Sequence, residues 1–175
     1  MSTENTTITA EESDLFNDVI SSPKVDLVKM HEFLTIACKY DMDFDEDAFF
    51  NKIKSDPLSA VLWACCYKRE RVQEVEDIIV NVTNAKNNLI LSYLDSFPEI
   101  TEGPLMDEVR KSSTLALRYC QFITESKLPE DIERVVFLDK ETRELYTELL
   151  KFLRDEKEEA AKNALEDSSE GETEV

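Results

Sequence analysis

The stretch that decides the fold runs from Arg69 to Phe97 and reads RERVQEVEDIIVNVTNAKNNLILSYLDSF. Its apolar residues recur at spacings of three and four, which is the period of one face of an α-helix; they are Val72, Val75, Ile79, Val82, Leu89 and Tyr93. Lys86 interrupts this seam and other apolar residues widen it, so the pattern favours packing in a helical bundle over a coiled coil. Four asparagines crowd its middle, and because asparagine is a poor helix former we expect a kink or break there.

The sequence on both sides of this stretch has the same helical spacing and few residues that form turns. Only 2 of the 175 residues are glycine and 5 are proline, whereas sandwiches and barrels need such residues at many corners. Hydrophobic residues make up 42% of the chain, which is enough for a core. We therefore predict an all-α fold, a single irregular helical bundle of about six to eight helices with a disordered acidic C-terminal tail.

An unbroken run of eight apolar residues begins three residues after the pair Asp56-Pro57. Aspartate and proline are the residue types that favour the cap and the first position of a helix. This start favours a buried helix over a buried strand, although the run itself would fit either. We expect Trp63 to lie in the core together with Leu62 and Cys66.

The C-terminal region changes from an amphipathic helix to an acidic tail. Asp139 is the expected cap of a last helix, whose apolar residues are Leu145, Leu149, Phe152 and Leu153. Residues 155–175 carry nine acidic and two basic residues. The predicted organisation is a flexible N-terminus over residues 1–8, a helical bundle domain over 9–154, and an acidic helix extension with a disordered tail over 155–175.

A faint internal echo relates Ser59 and Cys66 to Ser113 and Cys120 at an offset of 54 residues. The apolar pattern does not follow the same offset. We therefore attribute the echo to chance.

The charge of the chain restricts its partners. Acidic residues outnumber basic ones 39 to 20, which gives a formal net charge of −19. Such a surface repels phosphate backbones, anionic membranes and further copies of itself. We expect no direct nucleic-acid partner, no membrane association and no favoured homo-oligomer.

The cysteines and the first residues indicate a cytoplasmic, reducing compartment. The N-terminus lacks the basic and apolar regions of a secretory signal, and no apolar run is long enough to span a bilayer. No C-x-x-C pair is present, and all four cysteines lie in apolar runs, which predicts buried thiols in a reducing environment; they are Cys38, Cys65, Cys66 and Cys120.

Several kinds of catalytic and cofactor site are excluded by composition. His31 is the only histidine, so a Cys–His or Ser–His nucleophile would have to use it, and no local pattern supports one. Two glycines cannot build a phosphate-binding loop. The run from Asp41 to Asp45 begins like a calcium loop, but Glu46 stands where that loop needs glycine. We expect no catalytic residues, no metal site and no cofactor.

Acidic pairs one helical turn apart could hold Mg²⁺ in an all-α phosphohydrolase. Four such pairs are Glu74/Asp77, Glu99/Glu102, Glu130/Glu133 and Glu141/Glu144. With 39 acidic residues in 175 positions, about eight pairs of this spacing are expected by chance. This enzyme is therefore the second alternative.

The leading hypothesis is a non-enzymatic helical protein–protein interaction module: an adaptor, assembly chaperone or regulatory subunit. It would bind a protein with a basic rim through an apolar helical face in acidic surroundings. Phe44, Phe49 and Phe50 are the predicted partner-binding residues, since they are hydrophobic beyond the needs of a short helix. The first alternative is an acidic mimic of nucleic acid that inhibits a DNA- or RNA-binding protein.

The chain ends in Thr173-Glu174-Val175, which resembles a C-terminal ligand of PDZ domains. The pattern covers only three residues, so we favour a chance match.

Overall fold

The computed structural model describes residues 10–40 and 42–170. No β-strand occurs among them, and the predicted all-α fold is confirmed. The elements in chain order are α1 (Ala10–Ser21), α2 (Leu27–Tyr40), α3 (Glu46–Ile53), α4 (Pro57–Leu62), the π-helical segment π1 (Trp63–Lys68), α5 (Gln73–Asn81), α6 (Lys86–Ser96), α7 (Pro104–Val109), α8 (Ser113–Tyr119), the π-helical segment π2 (Cys120–Thr124), α9 (Glu130–Phe137) and α10 (Lys140–Glu170).

Two predictions fall on the ends of the chain. The predicted flexible N-terminus (1–8) and the terminal motif Thr173-Glu174-Val175 lie outside the described residues. The predicted tail is described only as far as residue 170, and α10 continues through residues 155–170.

The described residues form ten α-helices where six to eight were predicted, partly because the stretch from Arg69 to Phe97 is divided. α5 ends at Asn81 and α6 begins at Lys86. Ala85, directly before α6, has a left-handed backbone with φ 58°. The break thus lies among the asparagines, where a kink or break was expected.

A second division separates α7 from α8. α7 ends at Val109. The Ser112 side chain then accepts a hydrogen bond from the Leu115 N–H at 3.2 Å and caps a new helix. A capped start stabilises α8 without a continuous backbone from α7.

The chain divides into two compact units, Met1–Ile100 and Thr101–Val175. The first contains α1 to α6 and the second α7 to α10. A single bundle domain over residues 9–154 stays a prediction.

Aromatic rings fill the core of the first unit. Phe33 and Phe49 are fully buried, with ring centroids 5.3 Å apart. Phe44 lies 4.9 Å from Phe33, and Phe16 lies 5.4 Å from the same ring. This cluster packs α1, α2 and α3 together, because each contributes at least one ring.

Trp63 is buried as predicted, with 5% of its surface exposed, and its ring lies 4.6 Å from Phe50. Cys66 was predicted to share this core but is exposed, and Leu62 is half-buried. In a helical backbone eight consecutive residues point to all sides, so the apolar run cannot be buried along its whole length.

Tyr146 connects α10 to α9 and to the linker before α9 in the second unit. It is fully buried on α10, where its hydroxyl accepts a hydrogen bond from the Leu128 N–H at 3.0 Å and donates one to Glu133 at 3.1 Å. Thr142, one turn earlier, donates to the Val136 carbonyl at 2.8 Å. These bonds fasten the first turns of α10 to α9 and to the linker before it.

The two units share a local motif at an offset of 56 residues. Asp56 and Ser112 cap α4 and α8, and each of these helices passes into a π-helical segment. The segments end at left-handed residues, Arg69 with φ 53° and Glu125 with φ 43°. The same sequence of cap, α-helix, π-helix and left-handed turn therefore occurs twice.

The linker after each left-handed turn is held by a buried tyrosine. The Val72 N–H donates to the Tyr93 hydroxyl at 2.8 Å, and the Leu128 N–H makes the equivalent bond to Tyr146. The echo at an offset of 54 residues does not coincide with this repeat.

Candidate functional site

The three phenylalanines predicted to bind a partner lie on α3 and the loop before it. Phe49 is fully buried between Phe33 and Phe44. Phe44 and Phe50 are half-buried, and Phe50 packs on Trp63. Phe44 and Phe49 therefore share one cluster, whereas Phe50 belongs to a different contact. Their role in partner binding stays a prediction.

His31 and two exposed thiols line one cavity of about 200 Å³ between α2 and π1. Cys38 is on α2 and Cys66 on π1, so the prediction that all four thiols are buried is wrong for these two. No hydrogen bond joins the His31 imidazole to either thiol in the described part of the chain. The structure brings the residue types of a Cys–His pair to one cavity without coupling them.

The remaining two thiols are less accessible. Cys120 is buried, and burial raises the pKa of its thiol. Cys65 is half-buried, and burial raises its pKa as well. Both thiols are therefore shifted away from the reactive thiolate at neutral pH.

The acidic pairs with helical spacing lie mostly among bases. Glu130 pairs with Arg134, and Glu133 lies 3.5 Å from Lys127. Among the described residues, no group of three or more histidine, cysteine, aspartate or glutamate side chains could hold a metal ion. The expectation that the chain is not an enzyme stays a prediction.

The described part of α10 carries an exposed apolar face. The helix begins after Asp139, whose side chain accepts from the Thr142 N–H at 2.9 Å. Thr142 and Tyr146 turn inward and are buried. Because residues three and four apart share a helix face, the apolar residues that flank this buried side are left on the outside.

We call Leu145, Leu149 and Phe152 the α10 stripe. Leu145 is 47% exposed, Phe152 is 57% exposed and Leu149 is half-buried. Leu138, seven residues before Leu145, is 84% exposed. Single exposed apolar residues are ordinary, but a row of them along one helix is typical of a binding surface.

The charges of α10 are segregated around this stripe. On a helix of 3.6 residues per turn, five exposed carboxylates lie within about 90° of its centre; they are Glu141, Glu148, Asp155, Glu156 and Glu159. All six bases of the helix lie outside that half; they are Lys140, Arg143, Lys151, Arg154, Lys157 and Lys162. Among the described residues of α10, the half of the helix that carries the stripe therefore has exposed carboxylates and no base; we call these carboxylates the acidic rim.

Comparison with known proteins gives no relative: no family model, curated protein or solved structure matches the chain. Among the described helices, none combines the length and the apolar character needed to cross a bilayer.

Sequence analysis missed the stripe as a surface, although it recognised the apolar residues of the last helix. Leu145, Leu149 and Phe152 have the same spacing whether they face a core or solvent. The signal that could have separated the two cases is the placement of charge. Acidic residues flank the stripe, and the bases lie on the other half of the helix.

Proposed function

We propose that the chain is a non-enzymatic protein-interaction module that binds a protein partner through the α10 stripe. The observation that carries this proposal is the coincidence of the exposed apolar row with an acidic rim on one half of α10. Apolar residues with basic neighbours on the partner would match both features. An amphipathic helix is the simplest element that presents such a surface.

The size of the stripe favours a transient complex. Complete burial of a leucine or phenylalanine contributes about 1.5–3 kcal/mol, and the stripe residues can bury only their exposed part. Association costs at least about 4 kcal/mol in lost freedom of motion. Leu138 would therefore have to join the contact, and the acidic rim would raise the rate of association and make it sensitive to salt.

The experiment uses a model partner, a helical leucine–lysine peptide of about 14 residues with leucines at spacings of three and four. Titration calorimetry measures its affinity for the wild type, for Phe152→Ser and for Lys151→Ser. We expect about tenfold weaker binding to Phe152→Ser, which corresponds to about 1.4 kcal/mol. Lys151 lies next to Phe152 on the chain but outside the acidic half, so Lys151→Ser should change the affinity by less than about twofold. Equal affinities for wild type and Phe152→Ser would contradict the proposal.

The acidic mimic of nucleic acid makes a different prediction in the same experiment. Its binding would depend on the row of carboxylates and not on Phe152. Mimicry would therefore give a steep loss of affinity with salt and no effect of Phe152→Ser. Apolar docking gives a moderate salt effect together with a clear effect of that substitution.

A further inference from the structure

A second surface on α10 has the opposite charge. Residues of α10 and of the linker before α9 line an open groove of about 430 Å³. We call it the basic groove; its lining residues are Ser126, Lys127, Leu150, Leu153, Arg154, Lys157, Glu158 and Ala161. Leu150 and Leu153 are half-buried, Ala161 is exposed, and these three residues form the apolar floor of the groove.

Three cations and one carboxylate surround this floor, in a chain whose net charge is −19. Lys127 lies 3.5 Å from Glu133, but its side chain is 70% exposed, so solvent weakens this ion pair. Arg154 and Lys157 form no ion pair with any described residue. In so acidic a chain, two such cations beside an apolar floor are an exception to the general charge pattern.

We propose that the basic groove binds an acidic amphipathic segment of another protein. Apolar side chains of that segment would cover Leu150 and Leu153, and its carboxylates would face Arg154 and Lys157. The floor from Leu150 to Ala161 is about 16 Å long, which accommodates about three turns of helix. A guanidinium group can also donate two parallel hydrogen bonds to one carboxylate, so Arg154 would fix the orientation of the bound segment as well as attract its charge.

A narrow segment fits this groove better than a broad anionic surface. The acidic rim of the α10 stripe lies on the same helix, about one helix diameter away, and would meet a membrane that approached the groove. A second copy of the chain carries the same net charge of −19 and is repelled at long range. An acidic peptide reaches the cations without bringing a large like-charged surface close to the rim.

The two surfaces of α10 then select partners of opposite charge. The stripe suits a basic amphipathic helix, and the basic groove suits an acidic one. Because the surfaces lie on different sides of one helix, both could be occupied together and the chain would bridge two proteins. The basic groove does not depend on the function proposed for the stripe.

The test uses a labelled leucine–glutamate peptide of about 14 residues and fluorescence anisotropy. Arg154→Glu/Lys157→Glu is compared with Lys151→Glu/Lys162→Glu, which changes the net charge equally on the same helix but outside the groove. We expect at least about tenfold weaker binding to the first variant and less than about threefold to the second. Leu153→Ser should also weaken binding, and circular dichroism verifies that each variant is folded.

Three outcomes would overturn the proposal. Equal losses in both double variants would show only general electrostatic attraction. Binding to phosphatidylserine vesicles that depends on Arg154 and Lys157, without binding of the peptide, would assign the groove to lipid. A dimer in sedimentation that dissociates on Arg154→Glu/Lys157→Glu would assign it to a second copy. None of these results would change the binding of the leucine–lysine peptide to the stripe, so each of the two proposals can be refuted without the other.

Discussion

The Tyr93 hydroxyl forms hydrogen bonds with the backbone of Val72 in the linker before α5. Removing this hydroxyl group tests how much these bonds stabilise the first unit. The side chain is fully buried, and its ring lies 4.8 Å from Phe97. Its hydroxyl accepts from the Val72 N–H at 2.8 Å and donates to the Val72 carbonyl at 3.3 Å. Tyr93→Phe keeps the ring and its packing but leaves that N–H without its acceptor.

The expected cost is the desolvation of an unsatisfied backbone donor, about 1–3 kcal/mol. For a unit of roughly 100 residues, this corresponds to a decrease in melting temperature of at least about 4 °C. Urea unfolding followed by circular dichroism measures the free energy of unfolding. The matched control is Tyr40→Phe on an exposed tyrosine, which should change stability by less than about 0.5 kcal/mol.

The pH dependence gives a second readout of the same substitution. Burial raises the pKa of Tyr93 to about 12, above the ordinary value of 10.0. The unfolded chain therefore loses this proton first, so the stabilisation is complete below about pH 10 and is lost as the pH rises towards 12. Stability should fall less steeply in this range for Tyr93→Phe than for the wild type. Identical urea midpoints and identical alkaline slopes for the two Tyr→Phe variants would refute the reasoning.

Two further predictions follow from burial. Ile79→Asp should unfold the first unit, because it places a carboxylate at a fully buried position of α5; native helical circular dichroism together with a halved mass in light scattering would instead make that face a dimer interface. Cys38 and Cys66 should react with a thiol reagent before Cys65 and Cys120, since the first two are exposed and burial raises the pKa of the others; rapid labelling of Cys120 in the folded protein, mapped by mass spectrometry, would contradict the described core.

Helical periodicity predicted the fold class because it is a local property of the chain. The break between α5 and α6 could be expected from the asparagines. The π-helical segments could not, because each ends at a non-glycine residue with a left-handed backbone, Arg69 and Glu125. Such residues are uncommon in that conformation, and tertiary contacts beyond the local sequence hold them there.

The binding surface predicted from the sequence differs from the one proposed from the structure, and both remain predictions. Sequence analysis proposed an apolar face in acidic surroundings and assigned it to Phe44, Phe49 and Phe50. In the structure Phe49 is fully buried, whereas Leu145 and Phe152 on α10 are exposed. Periodicity shows that a helix has an apolar face but not whether its own chain covers that face, because covering depends on long-range packing.

The most direct test of the central claim is to map where a basic amphipathic partner binds. Backbone amide signals of the isotope-labelled protein are followed by NMR while the leucine–lysine peptide is added. We predict that the largest shifts occur at Leu145, Leu149 and Phe152 and that they are absent in Phe152→Ser. Shifts that are largest outside residues 138–159, or that are unchanged by Phe152→Ser, would contradict the claim that the α10 stripe is the docking surface.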